Sequence, residues 1–330
     1  MIMAFFKTVK PIKWAALVAA VLLHGPLYAA QMESAQDLMA RMSKASRELN
    51  YQGLFTYEYR GNLTSVKVSH GVFEGQTFER ILHMDGAKRE ALSRIGNLDC
   101  LRTGDMLLRG SAYKISEQSY ARLEDYYDFH IKGDGRVANR DVVMVHVLPK
   151  DKHRYGYVVA IDRDSGLLLQ SVLMSHRGKP LERFQFVDIA VGMPIAELGF
   201  DLQMTYDKSV ALEQTGCVGA DRKIRESVSS WSSQWLPPGF VIASHQSTDK
   251  GRQESMMYTD GLAVFSVFID SDNGRSLPAI DANLGATVAV LTKANFNDHE
   301  YAISVVGEIP RATANQIANA IALSPGDEQQ

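Results

Sequence analysis

Met256-Met-Tyr-Thr-Asp-Gly-Leu-Ala-Val-Phe-Ser-Val-Phe-Ile269 decides how the second half of the chain folds. Two apolar runs meet at Thr259-Asp260-Gly261, and Asp-Gly between hydrophobic runs predicts a hairpin because glycine accepts the positive φ of a tight turn. Along the second run Leu262, Val264, Ser266 and Phe268 fall on one face, and Ala263, Phe265, Val267 and Ile269 on the other. Both faces are apolar. An antiparallel strand with one wet face alternates, so this one predicts a cover on each side: a helix on one, and another domain or a partner protein on the other.

Working outward from the hairpin, strand-like runs occupy residues 240–246, 254–258, 262–269, 286–293 and 301–307. Pro310 suits the first turn of a helix, and Ala314, Ile317, Ala318, Ile321 and Ala322 then line one helical face. One helix on a roughly five-stranded antiparallel sheet makes a small α+β domain, 228–323, followed by a disordered tail, 324–330. The helix covers one side of the hairpin strand. On the other side a large apolar side chain left in water marks an interaction surface, each being worth ~1.5–3 kcal/mol when buried. Trp231, Trp235, Phe265 and Phe268 are the candidates for contact with a partner.

Upstream, periodicity lapses across 204–227, where Asp207-Lys208, Gly216, Gly219 and Asp221-Arg222-Lys223 mark an interdomain linker. Before it, residues 31–203 form a first domain. A helix over 34–49 carries Leu38, Met42, Ala45 and Leu49 on one face. The period then switches to two. Hairpins are predicted at 51–59 with 63–72 around Gly61-Asn62, and at 78–84 with 87–94 around Asp85-Gly86. Further strands follow at 98–103, 106–109, 142–148, 155–162, 167–175 and 181–189, with a short helix near 119–127. Such a succession predicts a large curved sheet or open barrel wrapped around its helices. Phe55, Tyr57, Phe78, Ile81, Met84, Leu108 and Val143 are the inward candidates, able to fill the interior or to line an apolar site for a lipid-like ligand.

At the start of the chain Lys7, Lys10 and Lys13 precede an apolar run from Trp14 to Leu23, then Gly25-Pro26 and Ala29-Ala30. This reads as a secretory signal peptide, 1–30, its apolar run too short for a membrane span of ~20 residues. Its removal takes the formal charge from −3 to −6. A mildly acidic exported protein without a remaining span is expected, and the charge balance argues against a nucleic-acid partner. Cys100 and Cys217 are the only cysteines, and an oxidising compartment leaves both a disulfide and two free thiols open.

Catalytic motifs fail on context. Gly133-Asp-Gly135-Arg-Val-Ala138 matches a dinucleotide loop, but a strand-like run follows it where a helix N-terminus is needed. Asp162-Arg-Asp164-Ser-Gly166 resembles the start of a calcium loop, yet Leu173 stands where the bidentate glutamate belongs, so it reads as a turn. No histidine pair has metal-ligand spacing, and there is no nucleophile elbow. No enzyme, metal or cofactor is expected.

Four segments of the second domain, Trp235-Leu-Pro-Pro-Gly-Phe240, Tyr258-Thr-Asp-Gly-Leu-Ala-Val-Phe-Ser-Val-Phe-Ile269, Gly285-Ala-Thr-Val-Ala-Val290 and Val305-Val-Gly-Glu-Ile-Pro310, resemble the C-terminal domain of the MucB/RseB family of periplasmic sigma-E regulators. In the first domain, Leu49-Asn-Tyr-Gln-Gly-Leu-Phe-Thr-Tyr57, Met84-Asp-Gly-Ala-Lys-Arg-Glu90, Pro149-Lys-Asp-Lys-His-Arg-Tyr-Gly-Tyr157 and Asp164-Ser-Gly-Leu-Leu-Leu169 are similar too. The resemblance implies an α+β protein: an N-terminal unclosed antiparallel β-barrel of the LolA/LppX type with covering helices, and a smaller C-terminal sheet packed on a helix. It further implies a periplasmic negative regulator that binds the periplasmic region of an RseA/MucA-type membrane anti-sigma factor and shields it from site-1 proteolysis. Release would follow when mislocalised lipopolysaccharide or lipoprotein acyl chains occupy the first domain. The competing expectation is a periplasmic lipid or lipoprotein carrier of the LolA type, and a homo-oligomer is left open.

Overall fold

A stripe of Leu38, Met39, Met42 and Ala45 is buried along helix α1 (Ala35–Glu48), which ends just before the first strand and packs on the inner face of the sheet that follows. The structure, a computed structural model, describes residues 33–87, 89–95, 123–200, 229–248, 253–271, 281–297 and 299–324. The signal segment, the strands expected at 98–103 and 106–109, the 204–227 linker, Leu108, Cys100 and Cys217 lie outside the described residues.

Among the described residues the first sheet has nine strands: β1 (Tyr51–Tyr59), β2 (Asn62–Phe73), β3 (Gln76–His83), β4 (Arg89–Ile95), β5 (Tyr127–Val137), β6 (Arg140–Pro149), β7 (Gly156–Asp162), β8 (Leu168–Met174) and β9 (Pro180–Val191). Their order is β4-β3-β2-β1-β9-β8-β7-β6-β5, with every pairing antiparallel. The outer strands β4 and β5 do not pair with each other, so the sheet is open. Its inner face and α1 share one apolar core that includes Phe55, Val68, Val145, Val159, Phe184 and Phe186.

Three local differences from the expected pattern have physical reasons. The first hairpin turns at Arg60-Gly61, because Tyr59 pairs with Asn62 and both turn residues have positive φ, 52° and 76°. Within the described part of the expected 119–127 helix, α2 spans Leu123–Tyr126, and strand β5 takes over at Tyr127. That strand escaped the sequence reading since most of its residues are exposed and a bulge at Ile131/Gly133 breaks the alternation. The dinucleotide-like Gly133–Ala138 run therefore lies in this edge strand and the turn after it. The calcium-like run is the β7–β8 turn: the Asp162 carboxylate accepts from Arg140 Nε and Nη2, both at 2.8 Å, and from Ser165 N at 2.8 Å.

The second sheet runs β11-β12-β13-β16-β15-β14, with β11 (Val241–Thr248), β12 (Gln253–Thr259), β13 (Val264–Ser271), β14 (Asp281–Leu284), β15 (Thr287–Phe296) and β16 (His299–Gly307). Among the described residues it has six strands where five were expected. The extra one, β14, is an Asp-Ala-Asn-Leu edge strand without β-branched residues. Helix α3 (Arg311–Asn319) begins after Pro310 and buries Thr313, Ala314, Ile317 and Ala318. The chain then returns as β17 (Ile321–Leu323), paired with β10 (Trp231–Ser233), so Ile321 belongs to a strand and not to the helix. Ser324, placed in the tail by the sequence, donates its N–H to Ser230 O at 2.8 Å.

In the Met256–Ile269 hairpin one face, Ala263, Phe265, Val267 and Ile269, is buried in the second core with α3. Thr259 pairs with Val264, so the connection is the four-residue loop 260–263 and not a two-residue turn. Asp260 Oδ1 accepts from Leu262 N at 2.9 Å and Ala263 N at 2.8 Å, and Thr259 Oγ1 bonds Ala263 O at 2.9 Å. These side-chain bonds hold the loop open and turn Leu262 outward from the second sheet.

Candidate functional site

The loop between β6 and β7 carries Asp151, His153, Arg154 and Tyr155 to the joint between the two sheets. Arg154 is fully buried. Its Nη1 donates to Asp260 Oδ2 at 2.6 Å, its Nη2 to Pro238 O at 2.6 Å, and its Nε to Asp151 Oδ1 at 3.2 Å. The guanidinium carbon also lies 5.0, 5.5 and 5.1 Å from the ring centroids of Tyr126, Tyr127 and Phe240. A planar fork that hydrogen-bonds in its plane and meets aromatic rings over its faces is a task for arginine and not lysine. Burial alone would lower the Arg154 pKa, but Asp260, Tyr127 and Asp151 hold it above its ordinary value.

Asp260 answers with both oxygens. Oδ2 accepts from Arg154 and from Tyr127 OH at 2.8 Å, while Oδ1 accepts the Leu262 and Ala263 amides. Burial raises the Asp260 pKa, against the opposing pull of the Arg154 charge and of the hydrogen bonds from Leu262, Ala263 and Tyr127. Close approach at this joint depends on Gly239, whose φ is +89° and whose missing Cβ would run into the Tyr126 ring.

A second contact sits at the β14–β15 turn. Glu182 of β9 accepts the Ala286 amide at 3.0 Å on Oε1 and the Tyr57 hydroxyl on Oε2. Burial raises the Glu182 pKa, against the opposing hydrogen bonds from Tyr57, Ala286 and Thr287. Burial, then the Glu182 charge, pushes the Tyr57 phenol far above its ordinary range. Gly285, at φ +71°, presses on the Tyr59 ring, 2.9 Å from where its Cβ would stand. Leu262 and Ala286, both from the second sheet's turns, are buried in the core of the first sheet, and Tyr157 OH donates to Leu262 O at 3.3 Å. The second sheet thus inserts two turns into the first sheet's interior.

The candidate partner residues are dispersed. Trp231 is buried in the second core, edge-on to Phe296 and Tyr301 at 5.0 and 4.8 Å. Trp235 packs edge-on to His153 at 5.1 Å, in the joint. Phe265 is wholly buried, stacked on Tyr258 at 5.1 Å, whereas Phe268 is 45% exposed on the opposite face. Along that face register sets Phe268 beside Ser304 and Leu291, and Ser266 beside Val306 and Ala289.

Of the candidate lipid residues, Phe55 and Val143 lie in the first core, with Tyr57 and Ile81 packed against it. Phe78 does not share their face. Standing three residues from Ile81, it is turned by the pleat to the outer side, where it meets Phe200 at 5.8 Å. Met84 is 53% exposed after the end of β3. Beneath the sheet, Ser46, Tyr51, Val68, Glu79 and Phe186 surround a cavity of about 10 Å³, room for no more than one water. Among the described residues, no group of three His, Cys, Asp or Glu side chains is placed to hold a metal.

The sequence reading missed Arg154, Asp260, Glu182 and Tyr127 as parts of one site. Nothing in the sequence sets the pair apart: Arg154 stands among Lys150, Asp151, Lys152 and His153, and Asp260 reads as a turn former.

Residues 34–204 match the MucB/RseB N-terminal domain, and residues 225–322 match the MucB/RseB C-terminal domain. The chain is 34% identical over 300 residues to the sigma factor AlgU regulatory protein MucB of Pseudomonas aeruginosa, covering 89% of this chain and 92% of that protein. It is 28% identical over 296 residues to the sigma-E factor regulatory protein RseB of Escherichia coli K12, covering 86% and 89%. The crystal structure of MucB in complex with MucA(peri) superposes with a TM-score of 0.67 at 32% identity, over 88% of this chain and 99% of that one. A MucA/MucB complex from Pseudomonas aeruginosa gives 0.68 at the same identity and coverage.

Proposed function

Because this chain belongs to the MucB/RseB family, we propose that it is a periplasmic negative regulator of a sigma-E-type envelope stress response, binding the periplasmic region of an RseA/MucA-type membrane anti-sigma factor. Bound there, it shields the anti-sigma factor from site-1 proteolysis. Its role is to bind and to block, not to catalyse. The observation that carries this reading is the match, over 88% of this chain, to a MucB solved with the periplasmic region of MucA.

Residues 31–203 serve as the lipid-sensing domain and 228–323 as the partner-binding domain in this reading. The outer face of the second sheet supports the latter role. Phe268, Met257, Leu291, Val306 and Ala289 stand there among serines, accessible in part, and among the described residues no helix covers that side. An apolar stripe flanked by hydroxyls suits an amphipathic segment of the partner, which would bury Phe268. Mislocalised lipopolysaccharide or lipoprotein acyl chains act on the first domain and release the partner. By linkage, they do so only to the extent that they bind the partner-free form more tightly.

The test is protection. The purified full chain, mixed with the anti-sigma periplasmic region and a site-1 protease, should slow cleavage at least tenfold at equimolar ratio. An unchanged cleavage rate at saturating chain would reject the regulator.

A further inference from the structure

We propose that the β12–β13 and β14–β15 turns are a plug in the first sheet's apolar interior, and that an unbranched acyl chain enters only when this plug is withdrawn. The inference rests on the lipid-sensing reading of the first domain and adds how that site is closed.

An acyl chain needs a pocket of some hundreds of Å³, and the cavity bounded by Ser46, Tyr51, Val68, Glu79 and Phe186 holds about 10 Å³. Something must move out. Among the described residues, two bodies fill the interior from outside the sheet: helix α1 and the turns carrying Leu262 and Ala286. Helix α1 buries Ala35, Leu38, Met39, Met42 and Ala45, and only Leu49 and Asn50 separate it from β1. Withdrawing it exposes a whole apolar stripe on a short tether. The turns commit just Leu262 and Ala286 to that core.

The plug is held by polar contacts instead: Arg154 to Asp260, Tyr127 to Asp260, Tyr157 to Leu262 O, and Glu182 to the Ala286 amide. Groups released from such contacts recover hydrogen bonds with water, so the plug is the easier body to displace. Withdrawal frees the rings of Tyr127 and Tyr157, which bond the first turn, and of Tyr57, which bonds Glu182 under the second, with Glu182 and Arg154 beside them. Flat apolar walls with a few polar groups at the entrance suit a single hydrocarbon chain with a polar end. The apparent affinity is the intrinsic affinity scaled by the fraction of open protein, so anything that loosens the plug tightens binding.

The experiment uses the full chain, cis-parinaric acid as the fluorescent acyl probe, and amide hydrogen exchange at residues 262, 263 and 286. Asp260→Asn weakens the Arg154 contact. Gly285→Ala crowds the Tyr59 ring and Glu182 and so loosens the other turn while leaving the Arg154–Asp260 pair intact, so a folding failure of the first variant does not stop the test. Both variants should bind cis-parinaric acid at least tenfold more tightly than wild type, and saturating probe should speed exchange of the three amides in wild type at least tenfold. Equal affinities with unchanged exchange would overturn the plug and leave lipid sensing standing. Absence of probe binding to all three proteins, with faster exchange in the variants proving their joints open, would instead overturn the lipid-sensing reading and with it the proposal.

Discussion

Replacing Arg154 with alanine would leave Asp260 buried with a hydroxyl and two amides as its remaining donors, and Asp151 and Pro238 O without a cation. Losing one partner of a buried ion pair costs about 3–5 kcal/mol, so Arg154→Ala and Asp260→Ala should each lose that much in denaturant unfolding. Their double mutant should lose clearly less than the sum. Strict additivity would mean that the pair is not coupled. Glu182 carries the opposite lesson. Burial raises its pKa above the ordinary 4.5, so the folded state holds the proton more tightly. Its contribution to stability is fully present below that value and is lost as pH rises through the folded pKa. Glu182→Gln keeps an acceptor for the Ala286 amide and cannot ionise. The variant should therefore gain on wild type as pH is raised from about 4 to 8 in unfolding measurements; parallel curves would contradict this. None of these roles was legible in the sequence, where Asp260 reads as a turn former and Arg154 as one more surface cation. Their partners lie more than a hundred residues away, and such contacts leave no periodic trace.

The Met256–Ile269 hairpin shows what a strand pattern reveals and what it leaves undecided. Alternation alone put Phe265 and Phe268 on opposite sides, and two apolar faces predicted a cover for each. Alternation does not say which side meets α3. The structure puts Phe265 inside and Phe268 outside, which turns two equivalent candidates into an internal control. Phe265→Asp should unfold the second domain, since truncating a buried phenylalanine already costs about 3–5 kcal/mol and a buried carboxylate adds to that. Phe268→Asp should melt like wild type and bind the anti-sigma segment more weakly. Retained affinity in a folded Phe268→Asp would move the partner surface elsewhere. Elements with weak patterns were lost to the sequence reading: β5, broken by its bulge, and β14, four residues without a β-former.

On the scale of the molecule, two sheets were legible because hairpin succession, helix placement and the resemblance all pointed the same way. Their joint was not, although three of the resembling motifs meet there: residues 149–157 supply Arg154, 235–240 supply Pro238 and Phe240, and 258–269 supply Asp260. In the proposed mechanism, opening of this joint would link a ligand in one domain to binding on the other, because closed and open forms would differ in which surfaces are available. In the proposed complex the anti-sigma factor lies on the second domain's outer face, where Phe268 is exposed. Calorimetric titration of the anti-sigma periplasmic region into the full chain measures that contact. Wild type should show saturable one-to-one binding, weakened at least tenfold in folded Phe268→Asp. No heat of binding to wild type at any concentration, with both proteins shown to be folded, would contradict it.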